Sequence, residues 1–153
     1  MDRYSVTRVI GKGSFGKAVL CKRRRDNKVC IIKQIETRLL GRQGRKEAQK
    51  EAGLLATLSH PNIVKYWDSF FYPSGTLCIV MDYADGGDLY SYLKGRKGRP
   101  VEEEGVLDWF VQIALALKHI HDRKILHRDL KTQNIFLTRS RVVKLGDFGL
   151  AKV

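Results

Sequence analysis

The hydrophobic pattern of this chain changes period near its middle, and that change limits the possible folds more than any other feature. In the first half, short apolar runs separated by turn residues predict strands at 4–10, 17–23, 28–35, 63–71 and 76–83. One stretch, 45–58, spaces its apolar residues three or four apart and predicts a helix. Beyond Asp85-Gly86-Gly87 the helical period takes over, with a short helix near Leu89 and a long one from Val106 to Ile120. The pattern therefore predicts an α+β fold with a strand-rich lobe followed by a helical one.

The composition is that of a globular protein with a large excess of positive charge. The 153 residues are 43% hydrophobic and carry a formal net charge of +13. The basic runs at 22–25, 42–50 and 94–99 either attract an anionic partner or form solvated loop faces. Their arginines do not alternate with aromatic residues, so a nucleic-acid partner is disfavoured.

The cysteines indicate a reducing compartment. Cys21, Cys30 and Cys78 are odd in number and widely spaced, and they predict neither a disulfide framework nor a cysteine zinc site. The N-terminal residues lack the apolar segment of a signal peptide, and no run approaches the roughly eighteen apolar residues of a membrane span. We therefore expect a cytoplasmic protein with no membrane partner.

A glycine-rich segment, with glycines at 11, 13 and 16, joins the first two predicted strands. Such glycines let a backbone approach phosphate groups closely, but in dinucleotide-binding folds they lie between a strand and a helix. Strands flank this segment on both sides, which argues against that fold. Two interpretations stay open, a phosphate-binding hairpin and an ordinary turn.

Lys33 lies within a strongly apolar predicted strand, where its charge needs a partner or a ligand. Glu51 on the following helix is the preferred partner because its sequence context places it toward the apolar face. Glu47 is the competing choice. A lysine whose ammonium group simply reaches water is the structural alternative.

The segment from His127 to Asn134, followed by Asp147-Phe148-Gly149, is the most specific for chemistry. Asp129 can orient or accept the proton of an attacking hydroxyl, and Lys131 can neutralise charge on a transferred phosphoryl group. Asn134 and Asp147 offer the hard oxygen ligands that Mg²⁺ binds. Each residue alone has a structural explanation, such as an ion pair or a tight turn. Their combination at this spacing predicts phosphoryl transfer.

Taken in order, these motifs resemble those of the eukaryotic protein kinase family over residues 4–152. Lys131, close after Asp129, is similar to the serine/threonine class. The resemblance implies a five-stranded antiparallel N-lobe with one helix, which binds ATP, at 4–83. It implies the hinge and the first part of a helical C-lobe at 84–153. The activity implied is transfer of the γ-phosphoryl group of Mg-ATP to Ser and Thr hydroxyls of protein substrates.

Within that class the sequence is similar to the NIMA-related (Nek) kinases, on the evidence of residues 60–64, 79–83, 86–89, 109–112 and 125–137. The resemblance implies catalytic roles for Lys33, Glu51, Asp129 and Lys131, and Mg²⁺ binding by Asn134 and Asp147. The nucleotide-binding residues that it implies are the glycine loop (Gly11, Gly13, Ser14, Phe15 and Gly16), the adenine roof (Ile10 and Ala18), Lys33, the gatekeeper Met81, the backbone of Asp82 and Ala84, the ribose contact Asp88 and the floor residue Phe136.

The sequence stops shortly after Gly149, so the resemblance implies a chain truncated just after the Asp-Phe-Gly motif. Nothing here corresponds to the rest of the activation segment or to the later helices of the family. Two hypotheses therefore remain. The chain is either a partial catalytic domain that transfers phosphate or a catalytically inactive ATP-binding fragment or regulatory module.

Overall fold

The computed structural model describes residues 3–13, 16–72, 74–148 and 151. Its strands and α-helices, in chain order, are β1 (Tyr4–Gly13), β2 (Gly16–Arg23), β3 (Val29–Glu36), α1 (Gly41–Thr57), β4 (Tyr66–Phe71), β5 (Thr76–Asp82), α2 (Leu89–Gly95), α3 (Glu103–His121), β6 (Ile135–Leu137) and β7 (Val143–Leu145). Contacts divide the chain into two compact units. The first is Met1–Thr57 with Lys65–Tyr83, and the second is Leu58–Val64 with Ala84–Val153.

The first unit contains the predicted five-stranded antiparallel sheet, in the order β1-β2-β3-β5-β4. Alternating residues of its strands point into one core, as the period of two requires. The buried members of this core are Tyr4, Val19, Cys21, Cys30, Ile32, Cys78 and Val80. Trp67, Phe70 and Tyr72 pack against them, so aromatic rings from β4 and its neighbourhood cover the cluster.

Helix α1 packs on β4 and β5 through a face of small and branched residues. Ala48, Ala52, Leu54 and Leu55 are buried there, and Glu51 is buried among them. The helix begins at Gly41 rather than at the predicted residue 45. A short 3-10 helix at Thr37–Leu40 precedes it, and the positive φ of Gly41 (62°) lets the backbone change direction between the two.

Two strand boundaries differ from the predictions. Strand β1 continues to Gly13, a segment predicted as a turn, because Gly11 and Gly13 pair with Ala18 and Gly16 across the hairpin. Strand β4 begins at Tyr66 and not at residue 63. The preceding residues pair elsewhere, since Ile63 forms a parallel bridge to Leu145 in the second unit.

In the second unit, Asn62 ties its loop to both α3 and β7. Its side-chain Nδ2 donates to Gln112 Oε1 (2.8 Å) and to the Val143 carbonyl (3.1 Å). Gln112 Oε1 also accepts from the Val143 N–H (2.7 Å). Because Asn62 is buried, these bonds satisfy polar groups that would otherwise be costly to remove from water.

Helix α3 buries only part of its predicted apolar stripe. Trp109 and Ile120 are buried, whereas Val106 and Phe110 are 48% and 65% exposed. The helix has an acidic first turn and a basic last turn, which suit its dipole. Among the described residues, no helix combines the length and apolar character needed to cross a membrane.

Candidate active site

The glycine-rich segment forms the end of the β1–β2 hairpin. Gly13 pairs with Gly16, and the predicted contacts Ser14 and Phe15 lie outside the described residues. A Cβ atom added to Gly16 would lie 1.9 Å from the Gln34 carbonyl oxygen of β3. Among the described residues, a Cβ atom on Gly11 would meet only Ala18 Cβ, at 3.9 Å. Gly16 is therefore required by close backbone packing within the sheet, a constraint that Gly11 does not share.

The predicted roof residues lie on the same hairpin. Ala18 pairs with Lys33 of β3, so the small side chain and the lysine are neighbours across two strands. Ile10 falls at an irregularity in the β1–β2 pairing, between Val9 and Gly11, and is 38% exposed. A bulge at this point re-aims the side chain that it carries.

Lys33 and Glu51 form the predicted ion pair, with Lys33 Nζ 2.7 Å from Glu51 Oε1. Glu47, the competing partner, is exposed and instead accepts a hydrogen bond from Gln43 (3.0 Å). The choice follows from helix geometry, because Glu51 is on the face of α1 that packs on the sheet. The pair fixes the lysine ammonium group with respect to the helix.

The end of β5 carries Met81 and Asp82. Met81 pairs with Ile31 of β3, and the backbone N–H of Asp82 donates to the Lys65 carbonyl (2.9 Å). The Asp82 carboxylate accepts from Trp67 Nε1 (2.8 Å). The amide N–H of Asp82 is thus already bonded within the sheet, and a ligand contact to its backbone would fall to the carbonyl.

The remaining predicted nucleotide contacts are in the second unit. Ala84 is buried, and its carbonyl accepts from the Gly87 N–H (3.4 Å). Asp88 caps helix α2 and accepts from the Ser91 N–H and hydroxyl (2.8 and 2.7 Å). Asp88 also bridges Phe136 of β6. The carboxylate predicted as a ribose contact therefore has a structural role as a helix cap.

Two side chains of the segment from His127 to Asn134, called here the catalytic loop, bind the Asp129 carboxylate. Lys131 Nζ donates to both of its oxygens (3.0 and 2.8 Å), and Asn134 Nδ2 donates to Oδ2 (2.9 Å) and to the Asp129 carbonyl (2.8 Å). The hydrogen bond from Lys131 lowers the pKa of Asp129, and the bond from Asn134 adds to the effect. The carboxylate is accordingly held ionised at neutral pH, with both of its oxygens able to accept hydrogen bonds.

His127 supports this loop from beneath. It is 2% exposed, and its ring packs edge-on against Phe148 with ring centroids 4.8 Å apart. Its Nδ1 faces the Asp129 N–H (3.4 Å), so the hydrogen assigned to Nε2 is donated to the Gly146 carbonyl (2.9 Å). His127 is therefore a packed core histidine that helps to hold this loop in position.

The β6–β7 hairpin brings the two candidate metal ligands to one end. Ile135 pairs with Leu145, and the Gly146 N–H donates to the Asn134 carbonyl (3.0 Å). Asp147, the next residue, is exposed and has a left-handed backbone (φ 55°), a conformation that aspartate tolerates better than most residues. Asn134 uses its Nδ2 toward Asp129, which leaves the amide oxygen as its ligand atom. An amide oxygen and a carboxylate fit Mg²⁺, which completes its coordination with water and phosphate.

Gly146 is a site residue that the sequence patterns did not single out. A Cβ atom there would lie 2.9 Å from the Phe136 ring and 3.1 Å from Val64 Cγ2. The sequence feature that could have identified Gly146 is its position directly before Asp147. Gly149 of the Asp-Phe-Gly motif lies outside the described residues. In the part of the chain that the structure describes, no three His, Cys, Asp or Glu side chains are grouped to hold a metal.

Comparison with known proteins agrees with these motifs. The family model for the protein kinase domain matches residues 4–153. Serine/threonine-protein kinase Nek1 from Mus musculus is 52% identical over 153 residues, which cover all of this chain and 13% of that protein. Nek5 from Homo sapiens is 51% identical, and Nek8 from Danio rerio is 46% identical. In both cases the match covers all of this chain and 22% of the relative.

The chain thus spans less than a quarter of the length of these relatives. Their similarity nevertheless covers every motif described above, from the glycine hairpin to Asp147, at about half identity. The chain belongs to the protein kinase family, and the relatives that it matches within that family are Nek serine/threonine-protein kinases.

Proposed function

We propose that this chain is the ATP-binding and catalytic-loop part of a serine/threonine protein kinase. The reaction is transfer of the γ-phosphoryl group of ATP to Ser or Thr hydroxyls of protein substrates. The observation that supports this most directly is the cluster in which Lys131 and Asn134 both donate to the Asp129 carboxylate. Such a carboxylate is ionised and held in one orientation, as phosphoryl transfer to a hydroxyl requires.

In this proposal Asp129 accepts the hydrogen bond of the attacking hydroxyl and orients its oxygen toward phosphorus. Lys131, whose side chain is 48% exposed, is available to balance the charge of the transferred group. Positioning is the main contribution of the protein, because the phosphoryl group reacts through a loose transition state that needs little covalent help.

Kinases of this family use ATP with Mg²⁺, and we propose Asn134 and Asp147 as the metal ligands here. When bound, the ion would neutralise charge on the phosphate oxygens. The β6–β7 pairing and the hydrogen bond from the Gly146 N–H to the Asn134 carbonyl keep both residues at one end of this short hairpin. The same hairpin carries Phe136, which we propose as the floor of the adenine site.

For the nucleotide we propose residues 4–83 as the ATP-binding lobe and 84–153 as the hinge and the first part of the second lobe. Lys33, held by Glu51 at 2.7 Å, would pair with the phosphates. The backbone of the glycine hairpin would cover them, and Ile10 and Ala18 would roof the adenine. Met81, Asp82, Ala84 and Asp88 complete the proposed contacts.

A reducing intracellular compartment fits the thiols. Cys21, Cys30 and Cys78 are all buried and free, and none of them is positioned as an exposed reactive group. We propose protein substrates and nucleotide as the partners, with no nucleic acid.

The test is phosphate transfer from labelled Mg·ATP to a generic basic protein, measured with the purified chain. Asp129→Asn and Lys33→Met should each abolish transfer. Asp122→Asn is the matched control for the first, because Asp122 is another aspartate bonded to a lysine, Lys118, at 2.7 Å. It should leave transfer unchanged.

Binding of Mg·ATP, followed separately by a fluorescent ATP analogue, distinguishes the two hypotheses. Binding that depends on Lys33, without transfer, would support the inactive ATP-binding module. Transfer that survives Asp129→Asn would contradict the proposed catalytic role altogether.

A further inference from the structure

Beyond the nucleotide site, we propose that the first unit carries a second anion-binding site, which takes a phosphorylated Ser or Thr side chain of a partner protein. The site, called here the arginine pocket, is a cavity of about 580 Å³. Its lining residues are Arg3, Tyr4, Arg23, Arg24, Arg25, Trp67 and Asp68. None of these residues is among those proposed above to bind ATP, the metal or the acceptor hydroxyl.

The charge of the arginine pocket is strongly one-sided, with four arginines against one aspartate among its described lining residues. Arg3 pairs with Asp68 (2.9 Å), and Arg23 pairs with Asp26 beside the cavity. Arg24 and Arg25 are exposed, and neither forms a side-chain hydrogen bond or ion pair with any described residue. Two guanidinium groups are therefore available to an incoming anion.

The turn at residues 23–28, which carries these two arginines, is held by hydrogen bonds within the protein. Asp26 accepts from Arg23 Nε (2.9 Å) and from the Lys28 N–H (3.2 Å), and the Asn27 N–H donates to the Arg23 carbonyl (2.8 Å). The Arg23 hydrogen bond lowers the pKa of Asp26 to about 2, so the turn keeps this bond at neutral pH. A preformed turn reduces the entropy lost on binding.

The part of the cavity lined by Arg3 and Trp67 is also held by contacts within the protein. The Arg24 N–H donates to the Arg3 carbonyl (2.9 Å), which joins the start of β1 to the end of β2. Arg3 lies over the Phe70 ring at 5.7 Å, and Trp67 is anchored by its bond to Asp82. The arginines thus surround the cavity on an ordered frame of backbone and aromatic rings.

The aromatic rings argue against a nucleic acid as the occupant. The Trp67 ring is already contacted by the Arg23 guanidinium (4.4 Å) and by Lys28 Nζ (4.8 Å), and Tyr4 is 5% exposed. Neither ring is open for stacking by a base, which single-stranded nucleic acids need for much of their affinity.

A phosphate fits the arginine pocket better than a single carboxylate does. A phosphorylated side chain carries a charge of about −1.5 to −2 at neutral pH and three acceptor oxygens. Those oxygens can accept from both free guanidinium groups at once, in the forked geometry that arginine favours. An ionised Asp or Glu side chain carries less negative charge and has two acceptor oxygens instead of three.

The test uses a short fluorescein-labelled peptide with one central phosphoserine among Gly, Ser and Ala, and its unphosphorylated twin. Fluorescence anisotropy with the full chain, without ATP, should show at least about tenfold tighter binding of the phosphopeptide. Arg24→Gln with Arg25→Gln should weaken that binding by about tenfold or more. Inorganic phosphate should compete with the peptide.

The matched control is Lys97→Gln with Arg99→Gln, which removes the same charge from another exposed basic run and should change affinity less than about twofold. Circular dichroism checks that both double variants remain folded. Equal losses in the two double variants, or equal affinity for the two peptides, would overturn the proposal. The proposal would also be overturned if a short single-stranded RNA bound more tightly than the phosphopeptide and lost affinity in the variant with Arg24→Gln and Arg25→Gln. Because ATP is absent, failure here leaves the proposed transfer activity untouched.

Discussion

Lys33 Nζ and Glu51 Oε1 lie 2.7 Å apart, yet the two side chains differ greatly in exposure, at 34% for Lys33 and 8% for Glu51. The Glu51 carboxylate is therefore the member of the pair whose desolvation cost its partner must offset. An ionised carboxylate left buried without its cation pays most of its desolvation cost, whereas the lysine can still turn toward water. The stability of the first unit should therefore depend more on the lysine than on the carboxylate of this pair.

Lys33→Met should destabilise the first unit by roughly 1–3 kcal/mol, because it leaves the Glu51 carboxylate buried opposite an apolar side chain. Glu51→Gln should cost less, since a buried neutral amide needs no compensating cation and the lysine can still turn toward water. Urea unfolding followed by circular dichroism measures both. Glu47→Gln, on the exposed face of α1, is the control and should shift the free energy by less than about 0.5 kcal/mol. A Lys33→Met variant as stable as the parent would contradict this account.

Gly16→Ala should destabilise the sheet by about 1–3 kcal/mol, because the new Cβ atom would need to displace the Gln34 carbonyl that lies 1.9 Å away. Gly11→Ala introduces the same methyl group on the same hairpin, where the nearest atom is 3.9 Å away. It should be nearly neutral for stability. Chemical denaturation of the two variants side by side makes the comparison, and equal midpoints would refute the packing argument.

Lys131→Ala should raise the pKa of Asp129 toward its ordinary value, because the lysine hydrogen bond is the largest contribution that lowers it. The carboxyl carbon of Asp129, followed by ¹³C NMR during an acid titration, reports the midpoint directly. Lys118→Ala is the control. It removes the hydrogen bond that lowers the pKa of Asp122 and should leave Asp129 where it was. An unchanged Asp129 midpoint in Lys131→Ala would show that the lysine does not hold that carboxylate.

The second unit should lose stability as the solution becomes acidic, because His60 and His119 pack with ring centroids 5.0 Å apart. Burial lowers the pKa of both, and each also feels neighbouring positive charge, Arg123 included. Among the described residues, His119 Nε2 is buried without a hydrogen-bond partner. Since the folded pKa lies below that of the unfolded chain, protons favour unfolding, and stability should fall as pH drops below about 6.5.

Thermal melts between about pH 7 and about pH 5 measure this loss. His119→Leu should make the melting temperature less sensitive to acid over that range. His121→Leu changes an exposed histidine on the same helix and should retain the sensitivity of the parent. If both variants behaved alike, the histidine pair would not be the origin of the effect.

The three cysteines should resist thiol reagents until the first unit unfolds. Cys21, Cys30 and Cys78 are fully buried, and burial raises the pKa of Cys21 and of Cys78 to about 11. At neutral pH these thiols are therefore neither accessible to a reagent nor present as the reactive thiolate. Reaction with a chromogenic disulfide reagent should be slow in buffer and complete in denaturant. Rapid labelling of the native protein would show that the sheet opens readily.

The sequence was sufficient for the features that depend on local spacing. Strand and helix periods predicted the five-stranded sheet and its helix, and the motifs from Lys33 to Asp147 identified the family, because short motifs carry their chemistry in residue type and order. The errors fall at boundaries that the local period does not set. Helix α1 begins at Gly41, where a positive φ redirects the backbone after the 3-10 helix, and β4 begins at Tyr66 because Ile63 pairs with Leu145 instead.

By itself, then, the sequence determined the class of fold and the family, and it predicted the residues for phosphoryl transfer. Only the tertiary structure decided how those residues are constrained. It confirmed Glu51 rather than Glu47 as the partner of Lys33, made Gly16 a packing requirement, and brought Arg3 beside Arg24. These relationships join residues far apart in the chain. They depend on distances and burial that no local pattern encodes.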